Sequence, residues 1–396
     1  MEESIKLSKR IGGKIEINSK QKLTKDNLKV LYTPGVASVC NAIARDKKLS
    51  FEYTIRKNTV AVISDGSAVL GLGNIGPEAA LPVMEGKALL FKELGGVDAI
   101  PIVIATQDSD TIIEIIKNIS PTFGGINLED ISAPRCFKIE EKLKKELDIP
   151  VFHDDQHGTA IVVLAGLINS LKVVNKKIKK IKIVISGAGA AGVAIAKLLI
   201  AYGAKNIIMV DSKGIIFKER EGGLNDSKME IAKITNPENL MGTIRDALFE
   251  ADVFIGVSAP NLVNNVDISK MAKDAIVFAM ANPIPEIMPS LAKQGGAKII
   301  ATGRSDFPNQ LNNVLVFPGI FRGALNKRVR DITTAHKLKA AEVLANMVKK
   351  PTANKIIPNA LDNYYELQIY YESTNCKRHC EEVLRRGNLL EIYYRQ

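Results

Sequence analysis

A hexapeptide, GAGAAG at residues 187–192, constrains this chain more than any other stretch. It follows the β-branched run KIKIVIS (180–186) and opens a small-residue helix, AAGVAIAKLLIAYG. G-x-G-x-x-G between a strand and a helix is the phosphate-binding turn of a dinucleotide fold. Gly187 makes the tight turn, Gly189 lets a pyrophosphate approach the backbone, and Gly192 permits close helix packing. Ala190 and Ala191 complete the turn, where orphan N–H groups at the helix start receive phosphates. The next apolar run, NIIMVD, places Asp211 at a strand end, about twenty residues further on. A carboxylate there accepts hydrogen bonds from ribose hydroxyls and repels a 2′-phosphate, which favours NAD. Lys213 lies two residues later and offsets that repulsion, so NADP stays open.

The pattern around the turn defines the fold class. ADVFIGVS, AIVFAMA and KIIATG continue an alternation of apolar strands with helices, the signature of a doubly wound, Rossmann-type parallel sheet. Residues 1–150 repeat it less regularly, with TVAVIS, DAIPIVI and IPVFHD as strands and AALPVMEGKALLFKELG as a helix. At 396 residues two domains are expected. We expect an α/β catalytic unit over 1–158, a dinucleotide-binding unit over 159–330, and a helical segment over 331–396 packing back on the first. A second glycine motif, GLGNIG at Gly71, Gly73 and Gly76, lacks the alternating context. With Pro77 after it, it reads as a tight loop ahead of a helix that lines the site at most.

Composition narrows the class. The start, MEESIKLSKR, carries acids and no apolar core, no run approaches the length of a membrane span, and four cysteines make no disulfide framework. The expectation is a cytoplasmic protein without membrane contact. A net charge of +11 invites a nucleic-acid reading, but the lysines are scattered without aromatic partners, so no nucleic acid is expected and the field instead suits small anions.

Two acidic pairs carry the remaining chemistry. VFHDDQHGTA holds Asp154 and Asp155, and GGINLEDIS holds Glu129 and Asp130. Each pair lies near a strand end, and hard divalent cations need carboxylates converging from different segments. On a persisting strand only one of Asp154 and Asp155 would reach the ion. His153 and His157 have i,i+4 spacing and would share a face only on a helix. The segment reads as extended, with the helix beginning near Gly158–Thr159.

VLYTPGVASVC, AVISDGSAVLGLGNIGPEAALPVMEGKALLFKELGG, NLEDISAP, VFHDDQHGTA, ISGAGAAGVAIA, MANPIPEI and NQLNNVLVFPGIFRGALN together resemble malic enzyme, particularly its short prokaryotic type. The resemblance extends over roughly residues 15–330 and implies NAD(P)-dependent oxidative decarboxylation of L-malate to pyruvate and CO2 with Mg2+ or Mn2+. It implies Glu129, Asp130 and Asp155 as metal ligands, Lys87 as general base and Tyr32 as general acid. Asp154 would tune Lys87. Asn282 and Asn313 would bind substrate, Ser258 and Asn261 would meet the cofactor, and a homodimer or higher homo-oligomer is suggested. Two departures stand out. Some relatives carry an arginine where this chain has Ala68, which leaves Ser67, the amides or another residue to hold a substrate carboxylate. The ending, YYELQIYYESTNCKRHCEEVLRRGNLLEIYYRQ, does not match the family. Other readings are a metal-dependent oxaloacetate decarboxylase, a malolactic-type lyase and a non-catalytic dinucleotide-binding protein.

Overall fold

β-Branched and aliphatic runs build two parallel sheets, whose central strands are apolar on both faces because helices cover both. The computed structural model describes residues 2–69 and 71–359. The atypical ending, with Cys376 and Cys380, lies outside the described residues.

The first sheet has the order β2-β1-β3-β4, all parallel, from β1 (Thr59–Ser64), β2 (Asp98–Val103), β3 (Gly125–Leu128) and β4 (Val151–His153). Ahead of it come α1 (Glu2–Ile11), α2 (Lys25–Leu31), α3 (Val36–Arg45) and the single turn α4 (Ser50–Tyr53). Its crossovers are α5 (Pro77–Gly95), α6 (Ser109–Ile119) and α7 (Arg135–Glu146).

The second sheet has the order β10-β9-β8-β5-β6-β7. Its strands are β5 (Lys182–Ser186), β6 (Asn206–Asp211), β7 (Gly214–Ile215), β8 (Val253–Gly256), β9 (Ile276–Ala279) and β10 (Ile299–Thr302). Only β7 runs antiparallel, as a short edge beside β6. Chain order reverses between β5 and β8, the switch point where doubly wound sheets bind dinucleotides. Connecting helices are α9 (Ala190–Tyr202), α10 (Asp226–Ile234), α11 (Ile244–Leu248), α12 (Asn265–Ser269) and α13 (Pro289–Gln294).

Helix α8 (Asp154–Val174) joins the sheets. Asp154 and Asp155 occupy its first turn, so the helix starts four residues before Gly158. The expectation of an extended HDDQH is corrected: only His153 ends the strand. Carboxylates at a helix start meet its free N–H groups and the positive end of its dipole, which favours the earlier start. By length and hydropathy α8 alone among the described helices would span a membrane, yet most of it is buried between the sheets. A boundary at 158/159 falls within this unbroken helix.

The end of the described chain is split between the sheets. α14 (Phe317–Lys327) returns to the first, where Phe317 and Phe321 pack on Phe91 of α5 with ring centroids 4.7 and 5.3 Å apart. α15 (Thr334–Asn346) rests instead on α8 and α9.

Candidate active site

Strand register gathers the acids. Ile63 pairs with Leu128 and Leu128 with His153. The next residues, Ser64, Glu129 and Asp154, therefore form one row at the carboxyl edge of the first sheet. Asp65, Asp130 and Asp155 follow as a second row. β1 and β3 flank the reversal of strand order here, so the acids sit in this sheet's own crevice.

Lys87 projects into those rows from α5 and is only 7% exposed. Its Nζ lies 2.5 Å from Asp154 Oδ2, 2.7 Å from Glu129 Oε1 and 4.1 Å from the centre of the Phe317 ring. Burial works to lower the amine pKa, but Asp154, Glu129 and Asp155 together outweigh it and hold it well above its ordinary value. One ammonium cannot balance four carboxylates. Burial, reinforced by Asp155, pushes Asp130 up to about 8, and burial likewise raises Glu129 and Asp154 despite Lys87.

Glu129, Asp130 and Asp155 each offer an oxygen within 4.8 Å of the others. Asp130 Oδ2 and Asp154 Oδ1 are buried without a hydrogen-bond partner. Asp130 adopts a left-handed backbone (φ 53°) and donates its N–H to Asp155 Oδ2 at 2.9 Å, which binds the two segments together. An all-oxygen set short of positive charge fits a hard divalent cation such as Mg2+ or Mn2+. Although α8 starts early, the two histidines have different surroundings: His157 Nε2 lies 2.8 Å from Glu140 Oε1, while the buried ring nitrogens of His153 have no hydrogen-bond partner and its Nδ1 lies 3.8 Å from Asp155 Oδ2.

Ser67 forms the floor of the same crevice. Its hydroxyl donates to Asp65 Oδ1 at 2.5 Å and accepts from the Ser132 N–H and Arg135 Nη2, both at 2.9 Å. Arg135 also pairs with Asp65 Oδ2 at 2.9 Å. A guanidinium therefore reaches the turn that holds Ala68, supplied by α7. The GLGNIG loop closes beside it: a Cβ on Gly66 would stand 2.1 Å from Gly76 O, so the crossing requires glycine.

On the facing sheet, Gly187 (φ +114°) abuts Val257 at the switch point, where an added Cβ would meet Val257 O at 2.5 Å. Gly189 is the N-cap of α9, followed by Ala190, Ala191 and Gly192 in its first turn. Ser258 Oγ lies 3.0 Å from Ser186 Oγ, and the Ser258 N–H donates to Glu286 Oε1. Buried Glu286 also accepts from the Ala281 N–H, tying together the loops after β8 and β9. Asn261 (φ 54°) donates its N–H to Pro285 O in that loop pair. Asn282 approaches Gly71 of the GLGNIG loop, so the two sheets' loops meet there. Asn313 opens a short 3-10 turn beside Gly158 and Asp154.

Two expectations change in detail. Asp211 ends β6 as expected, but Arg220 Nη2 and Lys228 Nζ grip its carboxylate at 2.6 and 2.7 Å. These pairs, against burial, hold its pKa well below the carboxylate range. They supply the offset assigned to Lys213, whose backbone N–H, by contrast, bonds Asp211 Oδ1. Tyr32 caps α2 at 68% exposure, and among the described residues no hydrogen bond links its side chain to the acids. Sequence reasoning missed Asp65, Arg135, Glu286 and Phe317. Position after β1 was a signal for Asp65; the other three come from loops and helices with no local mark of their destination.

A dinucleotide turn in one sheet and a buried lysine among carboxylates at the edge of the other fit a dinucleotide-dependent oxidoreductase. Comparison with known proteins narrows the class. Residues 12–144 match the family model "Malic enzyme, N-terminal domain" and 156–367 match "Malic enzyme, NAD binding domain". The chain is 59% identical over 356 residues to the NAD-dependent malic enzyme of Geobacillus stearothermophilus, covering 89% of this chain and 74% of that protein. It is 55% identical to the bifunctional malic/malolactic enzyme of Bacillus subtilis (strain 168), covering 91% and 89%. The crystal structure of NAD-dependent malic enzyme from Thermotoga maritima superposes with a TM-score of 0.91 at 50% identity, covering 94% of this chain and 99% of that one. The chain belongs to the malic enzyme family.

Proposed function

We propose that this protein oxidises L-malate at C2 and releases CO2 from C4, giving pyruvate and reduced NAD(P). The placement of Lys87 between Asp154 and Glu129, in a chain that also carries a dinucleotide turn, is the observation that carries the chemistry. Lys87 is placed to take the C2 hydroxyl proton, and a nicotinamide held at the glycine turn would supply the acceptor for the C2 hydride. The β-keto acid so formed loses its C4 carboxylate, and its C3–C4 electron pair becomes the enolate of pyruvate. Tyr32 then protonates C3. Ser67, Asn282 and Asn313 hold substrate, while Gly187, Gly189, Gly192, Ser258 and Asn261 hold the cofactor. A divalent cation held by Glu129, Asp130 and Asp155 would polarise the C2 oxygen and stabilise enolate charge. With those carboxylates balanced, the pull of Glu129 and Asp155 on the Lys87 proton would weaken, leaving Asp154 as its main anionic neighbour and its basic form easier to reach.

Asp211, neutralised by Arg220 and Lys228, repels a 2′-phosphate less than a free carboxylate would. NAD remains the favoured cofactor, with NADP tolerated. In Arg220→Ser the KM for NADP should rise by about tenfold, one lost ionic contact, with the NAD value less affected. Equal changes for both cofactors would dismiss Asp211 as the selector.

The exposed apolar side chains of the N-terminal arm, among them Ile17, Leu23, Val30 and Leu31, support a homodimer in which a second copy covers them and takes Tyr32 out of solvent. A cytoplasmic setting accords with unpaired Cys40 and Cys136. The units 1–158, 159–330 and 331–396 describe tasks (acids, cofactor, closing segment) more than separable folds.

Absorbance at 340 nm with L-malate, Mn2+ and either cofactor, with pyruvate assayed at the end, tests the function. Reduced cofactor matching pyruvate supports it; neither product refutes it. The 55% identical bifunctional relative favours one second reading, a malolactic activity, which would show as lactate without net cofactor reduction.

A further inference from the structure

Away from the acids and the glycine turn, a cavity of about 330 Å3 opens between α7, α8, α9, α10 and α15. None of the acid-cluster or glycine-turn residues lines it. On its floor, His157 Nε2 donates to Glu140 Oε1 at 2.8 Å, and Lys337 Nζ donates to His157 Nδ1 at 2.9 Å.

Three glutamates and three lysines line this cavity, but they are not paired evenly. Glu140 already accepts from Gln156 and pairs with Lys144 at 3.1 Å. Glu141 pairs with Lys145 at 2.6 Å, and Glu230 faces Lys197 at 3.8 Å. Lys337, by contrast, is 8% exposed and has no carboxylate within ion-pair distance among the described residues. Burial and the charge of Lys144 bring its amine down to about 7, with Glu140 and Asp331 opposing. Charging a buried amine with no carboxylate in contact is costly, and a cavity wide enough for a small anion that would offset that cost adjoins it. Lys144 and Lys197, each already facing an acid, also line the walls, while Ser227 and Thr334 add hydroxyl donors.

We propose that this cavity binds a compact dianion, a phosphate or a dicarboxylate, with Lys337 as its central counter-charge and Lys144 and Lys197 at its rim.

Isothermal titration of the NAD-saturated protein with inorganic phosphate, and separately with succinate, tests this. Saturation with NAD keeps phosphate off the glycine turn. Binding of either probe should weaken about tenfold in Lys337→Met and by a smaller factor in Lys197→Ala, as expected for lost charge-assisted contacts. The probe that binds names the head group. Lys197 is 53% exposed, so its variant keeps the test valid if Lys337→Met fails to fold. Absence of binding by both probes overturns the proposal, as does equal binding by parent and variants.

Discussion

Lys87 is held by two carboxylates at 2.5 and 2.7 Å and by an aromatic face, so its geometry is set before any ligand arrives. Lys87→Met preserves the packing and removes the amine. Turnover of malate should fall by about 10²–10⁴, the usual worth of general base catalysis, with cofactor affinity retained; steady-state rates beside an NAD titration check both halves. Asp130 links the same cluster to stability. Its folded value of about 8 lies above its ordinary 3.8. Between those values the folded protein keeps a proton that the unfolded chain has released. The chelated protein therefore loses stability as pH rises across that window. Melting temperatures in a chelator at pH 5 and pH 8 should show a drop that is smaller in Asp130→Asn, and Mn2+ should oppose it in the parent. An equal drop in both would place the proton elsewhere. Among single residues, the acids and Lys87 were legible through family motifs, and the glycines through their own spacing. Arg135 was not, because nothing local tells which of many arginines will reach back to Asp65.

The elements show why the sequence was readable in some places and misleading in others. Strands of the second sheet were evident because apolar runs such as IKIVIS alternate with helices at regular intervals. The HDDQH stretch misled because β4 passes into α8 without a turn residue: the strand's last position is also the helix N-cap. Helix α14 follows the strands of the second sheet in sequence yet packs on the first, a long-range choice made by Phe317 and Phe321. Phe321 is fully buried and also meets Phe152 edge-on at 5.8 Å. Phe321→Ala should cost about 3–5 kcal/mol, with denaturant unfolding as the readout. A cost within about 0.5 kcal/mol, typical of surface positions, would mean that α14 does not anchor there.

At the scale of the whole molecule, the arm before β1 is the part least satisfied within one chain. α2 and α3 bury no residue, and Leu31 and Tyr32 stand 47% and 68% exposed. Sedimentation or light scattering should find a dimer, and Leu31→Glu should shift it toward monomer while lowering activity. A parent that stays monomeric at working concentration would remove the proposed cover from Tyr32. No periodicity in the sequence separates an apolar face meant for another copy from one meant for the chain's own core, so this feature became visible only in three dimensions.

The single helix from Asp154 to Val174 also bears on how such a protein can be rebuilt. Its first turn presents two acids to one sheet, while its body, from Ala160 to Leu171, lies in a core to which both sheets contribute. Exchange of the cofactor-binding module with a relative by recombination therefore has no neutral crossover at this junction. A cut before Asp154 imports the donor's acids, and a cut after Val174 leaves the recipient's helix against a foreign sheet. Grafts that carry the helix together with its companions α9 and α15 are the ones that keep their packing, so cofactor preference in this architecture travels most readily with part of the chemistry attached.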